Sequence, residues 1–282
     1  VLLPVGRQPL HLPQQLHAAV PQPGQQLLTD VRWTTGFGTV EVQDLLVDAA
    51  QARVLPGRFG TRTSESSAWS VSESALDAGL PLQGFSGTLG RYQREGRAFH
   101  VQRTDASPEA AVAALRLCWN GSVQASGAVL VHASAVAWNG LAVVALGPSG
   151  AGKSTFARLC VEAGATLLSD EIVTLHPDGR VAGTPFCSDL QLPGTPGPFR
   201  AGLLVLLEKG LDEALLTAGG PSLVQACLGQ LFSPAEAPAA RGECFERLVA
   251  FLARVETRTF RFRQHPAAGE FIRDALAALS VR

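Results

Sequence analysis

Gly147-Pro148-Ser149-Gly150-Ala151-Gly152-Lys153-Ser154 is the stretch on which the reading of this 282-residue chain turns. It matches G-x-x-x-x-G-K-[ST]. Upstream, Val129–Val136 and Leu141–Leu146 are dense apolar runs that read as strands, joined at Asn139-Gly140, a strong two-residue hairpin signal. Downstream, a helix is expected from Lys153 to Ala163, stopped by Gly164 at the C′ position. A strand before and a helix after are the context that turns the glycine pattern into a phosphate loop.

The chemistry follows from the residue types. Glycines let the backbone curl so that successive N–H groups face phosphates, and the helix N-terminus adds about half a unit of positive charge. Lys153 supplies a point charge toward the β- and γ-phosphates, and Ser154 offers a hydroxyl to Mg²⁺. The expected contacts to ATP, or another nucleoside triphosphate, are Gly147, Pro148, Ser149, Gly150, Ala151, Gly152, Lys153, Ser154 and Thr155.

Outward from the loop, Thr166–Ser169 and Ile172–Leu175 read as strands, with Pro177-Asp178-Gly179 turning into Arg180–Ala182. Asp170 and Glu171 follow Lys153 by only 17 and 18 residues, the length of one helix and one short strand. That spacing is expected to bring both acids beside the phosphates. Two neighbouring carboxylates there have distinct jobs: one holds Mg²⁺ and the other accepts the proton of an attacking hydroxyl. His132, in the strand before the phosphate-loop strand, is a further candidate, although a lone histidine in an apolar run is more often packed core.

Leu203–Leu207 is another buried-strand candidate, while the Gly- and Pro-rich section to about Arg241 has no readable pattern. Glu243–Val255 reads as an amphipathic helix with Phe245, Leu248, Val249, Leu252 and Val255 on one face. Phe260 and Phe262 alternate with arginines as in a strand. A final helix carries Phe271, Ile272, Ala275, Leu276 and Leu279.

The first half is of a different texture, rich in Gln, Pro, Gly and Ser, with turn signals at Pro21–Gly24, Pro56–Gly57 and Gly84–Gly90. Strands are expected around Trp33–Val42, Trp69–Val71 and Arg91–Arg103, and a helix from Pro108 through Cys118. We divide the chain into residues 1–125, a smaller mostly β or mixed domain whose role the sequence does not specify, substrate or partner recognition being one candidate, and residues 126–282, an α/β (α+β) P-loop domain.

Composition bounds the function. A net charge of −1 gives no support to a nucleic-acid or anionic-membrane partner. The longest apolar runs are far shorter than the ~20 residues that span a bilayer. Val1–Val5 lacks the basic flank and long apolar stretch of a signal peptide, so a soluble, cytoplasmic protein is expected. Cys118, Cys160, Cys187, Cys227 and Cys244 are odd in number and scattered, with no zinc-ligand spacing, and are expected to be reduced, packed thiols. A homo-oligomer is compatible with the sequence.

The run Val129-Leu-Val-His132-Ala-Ser-Ala-Val136, the phosphate loop, and Gly164-Ala-Thr-Leu-Leu-Ser-Asp170-Glu171 together resemble the HPr kinase/phosphorylase family and its smaller kinase-like relatives. The resemblance covers roughly Val129 to Phe186. It implies that residues 126–282 are an HPr-kinase-like P-loop domain akin to phosphoenolpyruvate carboxykinase, a mixed sheet with flanking helices. It also implies an active-site His132, Asp170 as base toward a substrate serine, and Glu171 as metal ligand beside Ser154. The second acid is Asp in the family and Glu here. The family's downstream Glu/Arg/Gly-rich signature has no match between Gly183 and Leu207, and Gly183-Thr-Pro-Phe186 is like the HPr-kinase-related proteins. Neither phosphorylase activity nor HPr itself as substrate is therefore implied.

The expectation is a Mg²⁺- and ATP-dependent kinase acting on a hydroxyl, a serine of a peptide, a protein or a free amino acid, with Asp170, His132 and Lys153 as catalytic residues. Two alternatives are a non-catalytic nucleotide-dependent switch and, with less support, carboxykinase chemistry on a small keto acid. Arg180, Arg200, Arg261 and Arg263 are read as surface arginines, with Arg200 the best placed to clamp a phosphate or carboxylate.

Overall fold

Asn139 and Gly140 both adopt positive φ, 50° and 82°, the two-residue geometry that matches the right-handed twist of a hairpin. They join β8 (Ser134–Trp138) to β9 (Leu141–Leu146), the strand that leads into the phosphate loop. The computed structural model describes residues 26–35, 38–48, 69–83, 87–104, 107–186, 188–190, 192, 194–232 and 238–280. The turns expected at Pro21–Gly24 and Pro56–Gly57, part of Gly84–Gly90, and Cys187 lie outside these residues.

The protein has a mixed α/β architecture with two mixed sheets and five helices among the described residues. The first sheet has the order β1-β2-β3-β6-β5-β4, formed by β1 (Gln26–Thr35), β2 (Gly38–Asp48), β3 (Trp69–Glu73), β4 (Leu80–Gln83), β5 (Thr88–Glu95) and β6 (Ala98–Arg103). The expected strand over Trp33–Val42 is thus two strands of an antiparallel pair, and Arg91–Arg103 is likewise two, turning at Gly96-Arg97. Helix α1 (Pro108–Ala125) begins with Pro108 in its first turn and Ser107 as N-cap, whose Oγ accepts from Ala110 N at 3.2 Å. It runs a further seven residues beyond Cys118, the expected end. Its apolar side packs Ala110, Ala114, Cys118 and Trp119 against Val71, Tyr92, Phe99 and Val101. Leu130, Ile172 and Phe186, from the second half of the chain, belong to the same core.

The second sheet has ten strands. Its path is β10-β8-β9-β13-β12-β11-β7-β15, with β16 on β13 and β14 on β16. The remaining strands are β7 (Val129–His132), β10 (Thr166–Ser169), β11 (Ile172–Leu175), β12 (Arg180–Ala182), β13 (Phe199–Lys209), β14 (Ala214–Thr217), β15 (Leu231–Phe232) and β16 (Glu256–Phe262). The single strand expected over Val129–Val136 breaks at Ala133. As a result His132 ends β7, which pairs with β11 and β15, and does not lie on β8, the neighbour of the phosphate-loop strand.

The break has a counterpart across the ladder. Ser169 pairs with Ala135 on one side and Ile172 with His132 on the other, the same register resumed after an interruption at Asp170-Glu171. The two ends of the sheet path therefore meet at this kink, held by Ala133 N donating to Glu171 O at 3.1 Å. The acidic pair occupies this interruption of the ladder.

Both faces of the sheet are covered. On one, α2 (Lys153–Glu162) and α5 (Ala267–Ser280) bury Phe156, Leu159, Ile272 and Leu276 against Val143, Val205, Phe260 and Phe262. On the other, α3 (Gly220–Leu228) and α4 (Pro238–Leu252) bury Cys227, Cys244, Leu248 and Phe251 against Val144, Leu175 and Leu204. Of the face expected for this helix, Leu248 and Val255 are buried and Leu252 packs against the same core, whereas Phe245 and Val249 are exposed at 39% and 41% and Cys244 and Phe251 are buried in their place. The section without a readable pattern contains β14, α3 and β15. Cys118, Cys160, Cys227 and Cys244 are buried free thiols. No described helix is long and apolar enough to cross a membrane.

Candidate nucleotide site

β9, β13 and β16 run parallel, so their carboxyl ends share one edge of the sheet, the edge where open α/β sheets place ligands. The loop Gly147–Ser154 lies over it. A Cβ on Gly147 would stand 3.7 Å from Leu207 Cβ at the end of β13, and one on Gly152 would stand 3.3 Å from Phe262 Cζ at the end of β16. Gly150 and Gly152 have φ of 77° and 99°, a backbone that side-chain-bearing residues seldom adopt. α2 starts at Lys153 with no side-chain cap on its first N–H groups. Lys153 is 7% exposed, and its Nζ donates to Gly147 O at 2.9 Å and Pro148 O at 3.3 Å, curling over the loop. Burial lowers its pKa from the ordinary lysine value. An uncapped helix start, a glycine cradle and a desolvated ammonium fit a polyphosphate group.

Asp170 and Glu171 are both buried at the kink, 2% and 8% exposed. Ser169 shapes the turn: its Oγ accepts from Glu171 N and Ile172 N, each at 3.2 Å, and donates to Phe186 O at 3.2 Å. Thr184 Oγ1 donates to Ile172 O at 2.7 Å, tying the following segment to the same place. Asp170 accepts Ser188 N on Oδ1 and Leu190 N on Oδ2, both at 2.9 Å, so each carboxylate oxygen has a backbone donor. Glu171 is ion-paired with Arg116 of α1. Burial raises the Glu171 pKa, Arg116 opposes that, and Asp170 and Asp189 add to it.

Arg116 is a residue of the candidate site that the sequence reading did not single out. Its guanidinium lies 5.6 Å from the Phe186 ring centroid, and Phe186 meets Trp119 edge-on at 5.8 Å. A cation inside the otherwise apolar run Ala110–Trp119 was the available signal. Its partner, 55 residues away, was not readable from spacing. His132 N donates to Gln230 O at 2.7 Å. Its imidazole is held down at about 4 by burial first, then by the positive charges of Lys153 and Arg116. The structure thus brings His132, Arg116, Glu171 and Asp170 together at the kink, and the charge of Lys153 acts on His132. It gathers no cluster of three or more His, Cys, Asp or Glu side chains fit for a metal among the described residues.

Of the arginines read as surface groups, Arg180 pairs with Asp178, Arg261 with Asp212 and Arg263 with Glu213. Arg200 lines a separate cleft of about 380 Å³ with Arg254 and Glu256. That cleft lies at the amino ends of β9 and β16, away from the phosphate loop.

No family model and no curated protein matches the chain. Among solved structures it is similar to the Hpr(Ser) kinase/phosphatase from Coxiella burnetii, at 13% identity and a TM-score of 0.28, over 54% of this chain and 92% of that one. A likeness of that score carries no argument about fold or activity.

Proposed function

We propose that this protein is an ATP- and Mg²⁺-dependent kinase that phosphorylates a hydroxyl, a serine of a peptide, a protein or a free amino acid. The observation that carries the reading is the loop Gly147–Ser154, whose motif coincides with a positive-φ glycine backbone, an uncapped helix start and a buried lysine. Bound Mg²⁺·ATP supplies the phosphoryl group and neutralises charge on it. The loop N–H groups and α2 hold the phosphates, and Lys153, drawn off its own carbonyls, stabilises charge that develops on transfer. Ser154 and Glu171 are the residues to hold the metal. Asp170 accepts the proton of the hydroxyl. His132, kept neutral, offers a hydrogen bond without adding a third cation.

Labelled ATP, Mg²⁺ and serine-containing peptides, followed by mass spectrometry, test the reading. Phosphate on a serine is expected, and loss of transfer with retained nucleotide binding in Asp170→Asn. The same substitution sets an amide N–H₂ against a backbone N–H at Ser188 or Leu190, so about 1–3 kcal/mol of stability should go with it. Transfer at the normal rate by Asp170→Asn would refute the base assignment. The commitment of both Asp170 oxygens to backbone donors favours one second reading, a nucleotide-dependent switch without transfer. Tight ATP binding, with no phosphate on any acceptor, would distinguish it.

A further inference from the structure

We propose that the cleft at the amino ends of β9, β13 and β16 is a second ligand site, which takes a small carboxylate with an aliphatic body. Leu141, Leu276 and Leu279 line its apolar side, and Arg200, Arg254 and Glu256 its polar side. Its volume of about 380 Å³ lies at the small end of the roughly 300–1,000 Å³ of ligand pockets. β9 runs six residues from this cleft to the loop Gly147–Ser154. At ~3.3 Å per residue the two are roughly 15–20 Å apart, so the sites are separate.

A bulge in β13 aims Arg200 into the cleft. Ala201 packs into the core beneath α3 and α4, yet Leu203, two residues on, packs into the core beneath α2 and α5. A regular strand would send both to one face. Gly202 is the extra residue between them: Ala201 pairs with Ala142 and Leu203 with Val143. Bulges re-aim side chains and recur beside binding sites. This one turns Arg200, which alternates with Ala201, to the face covered by α5. A Cβ on Gly202 would stand 2.6 Å from Leu276 Cδ1, so the missing side chain is what lets Leu276 close the floor of the cleft.

The charges select an anion. Glu256 is ion-paired with Arg258. Directly across from Arg200 in the β12–β13 pair is a like charge, Arg180, which is ion-paired with Asp178. Neither the Arg200 nor the Arg254 side chain has a partner among the described residues. The carboxyl end of α5 contributes about half a unit of negative charge, less than either guanidinium offsets. Two planar forks suit a carboxylate. Leu141 and Leu279, only partly buried, offer apolar contact to the body behind it.

Calorimetric titration of the full chain with hexanoate, hexylammonium and acetate tests the site, in wild type, Arg200→Gln, Arg254→Gln, the double variant and Arg158→Gln, each checked by circular dichroism. Hexanoate should saturate one site per chain, hexylammonium should not bind, and acetate should bind about tenfold more weakly or worse. Each single cleft variant should weaken hexanoate about tenfold and the double variant more, while Arg158→Gln, on α2, should match the wild type. No saturable hexanoate binding up to about 10 mM overturns the proposal. So does hexylammonium or acetate binding as tightly as hexanoate, or an unchanged affinity in the double variant. The three probes decide on the wild type alone if a variant does not fold.

Discussion

Replacing Gly147 by alanine sets a methyl group 2.7 Å from Ala151 Cβ and 3.7 Å from Leu207 Cβ. Ordinary carbon–carbon contact is roughly 3.5–4.0 Å. The overlap with Ala151 is therefore about 1 Å, while Leu207 Cβ is already at ordinary contact. Overpacking of this kind costs about 1–3 kcal/mol. The loop is the softer side of the contact, because Leu207 lies in the sheet, so the strain should be taken up by the loop backbone. Expressed as binding, 1–3 kcal/mol is about a 5- to 150-fold loss of ATP affinity. Removing the opposing methyl by Ala151→Gly should relieve it. Titration of ATP into wild type, Gly147→Ala, Ala151→Gly and the double variant should show the double within about threefold of Ala151→Gly alone. Gly150→Ala is the control, since φ is 77° and nothing lies within 4 Å of its Cβ: the strain there is conformational and Ala151→Gly should not rescue it. Normal binding by Gly147→Ala, or a double variant as weak as the single, would refute the steric account.

Three further outcomes follow from the same geometry. The unfolded chain takes up a proton on His132 near pH 6.5 and the folded one only at about 4. The contribution of this group is thus fully present above pH 6.5 and declines as pH falls toward 4. The shift alone sets a ceiling of about 3 kcal/mol, which partial exposure reduces to about 1–2 kcal/mol. Urea unfolding at pH 7 and pH 4.5 should show that loss in wild type and a flatter profile in His132→Gln; parallel profiles would contradict it. Trp119→Ala, at a residue 1% exposed and packed edge-on to Phe186, should cost about 3–5 kcal/mol in urea unfolding, with a loss below 2 kcal/mol arguing against the packing described. Ser134 Oγ is fully buried without a hydrogen-bond partner among the described residues, so Ser134→Ala should leave stability unchanged or raise it by up to about 1 kcal/mol, and a lower melting temperature would count against it.

Where a feature depends on neighbours in the chain, it was legible in advance. Asn139-Gly140 specified its hairpin because only a positive-φ pair closes two twisted strands so tightly. The glycine loop Gly147–Gly152, α2, β10, β11 and β12 followed from glycines, apolar runs and turn residues a few positions apart. Phe260 and Phe262 alternate and are buried as that alternation requires. The exact edges of the buried face of α4 were not legible. Leu248 is buried as expected, but whether Phe245 and Val249 or Cys244 and Phe251 flank it inward is decided only by the sheet beneath, since all four are apolar.

The candidate site divides in the same way. The residue types and the short interval from Lys153 to Asp170 and Glu171 are properties of the sequence by itself. It did not determine that His132 ends β7 instead of flanking β9, that the ladder breaks at Asp170-Glu171, or that Arg116 reaches Glu171. Those depend on a ladder that bends and on a helix from the other half of the chain. Such pairings are settled by the desolvation and packing of groups brought together only when both sheets have formed, and local spacing holds no record of them.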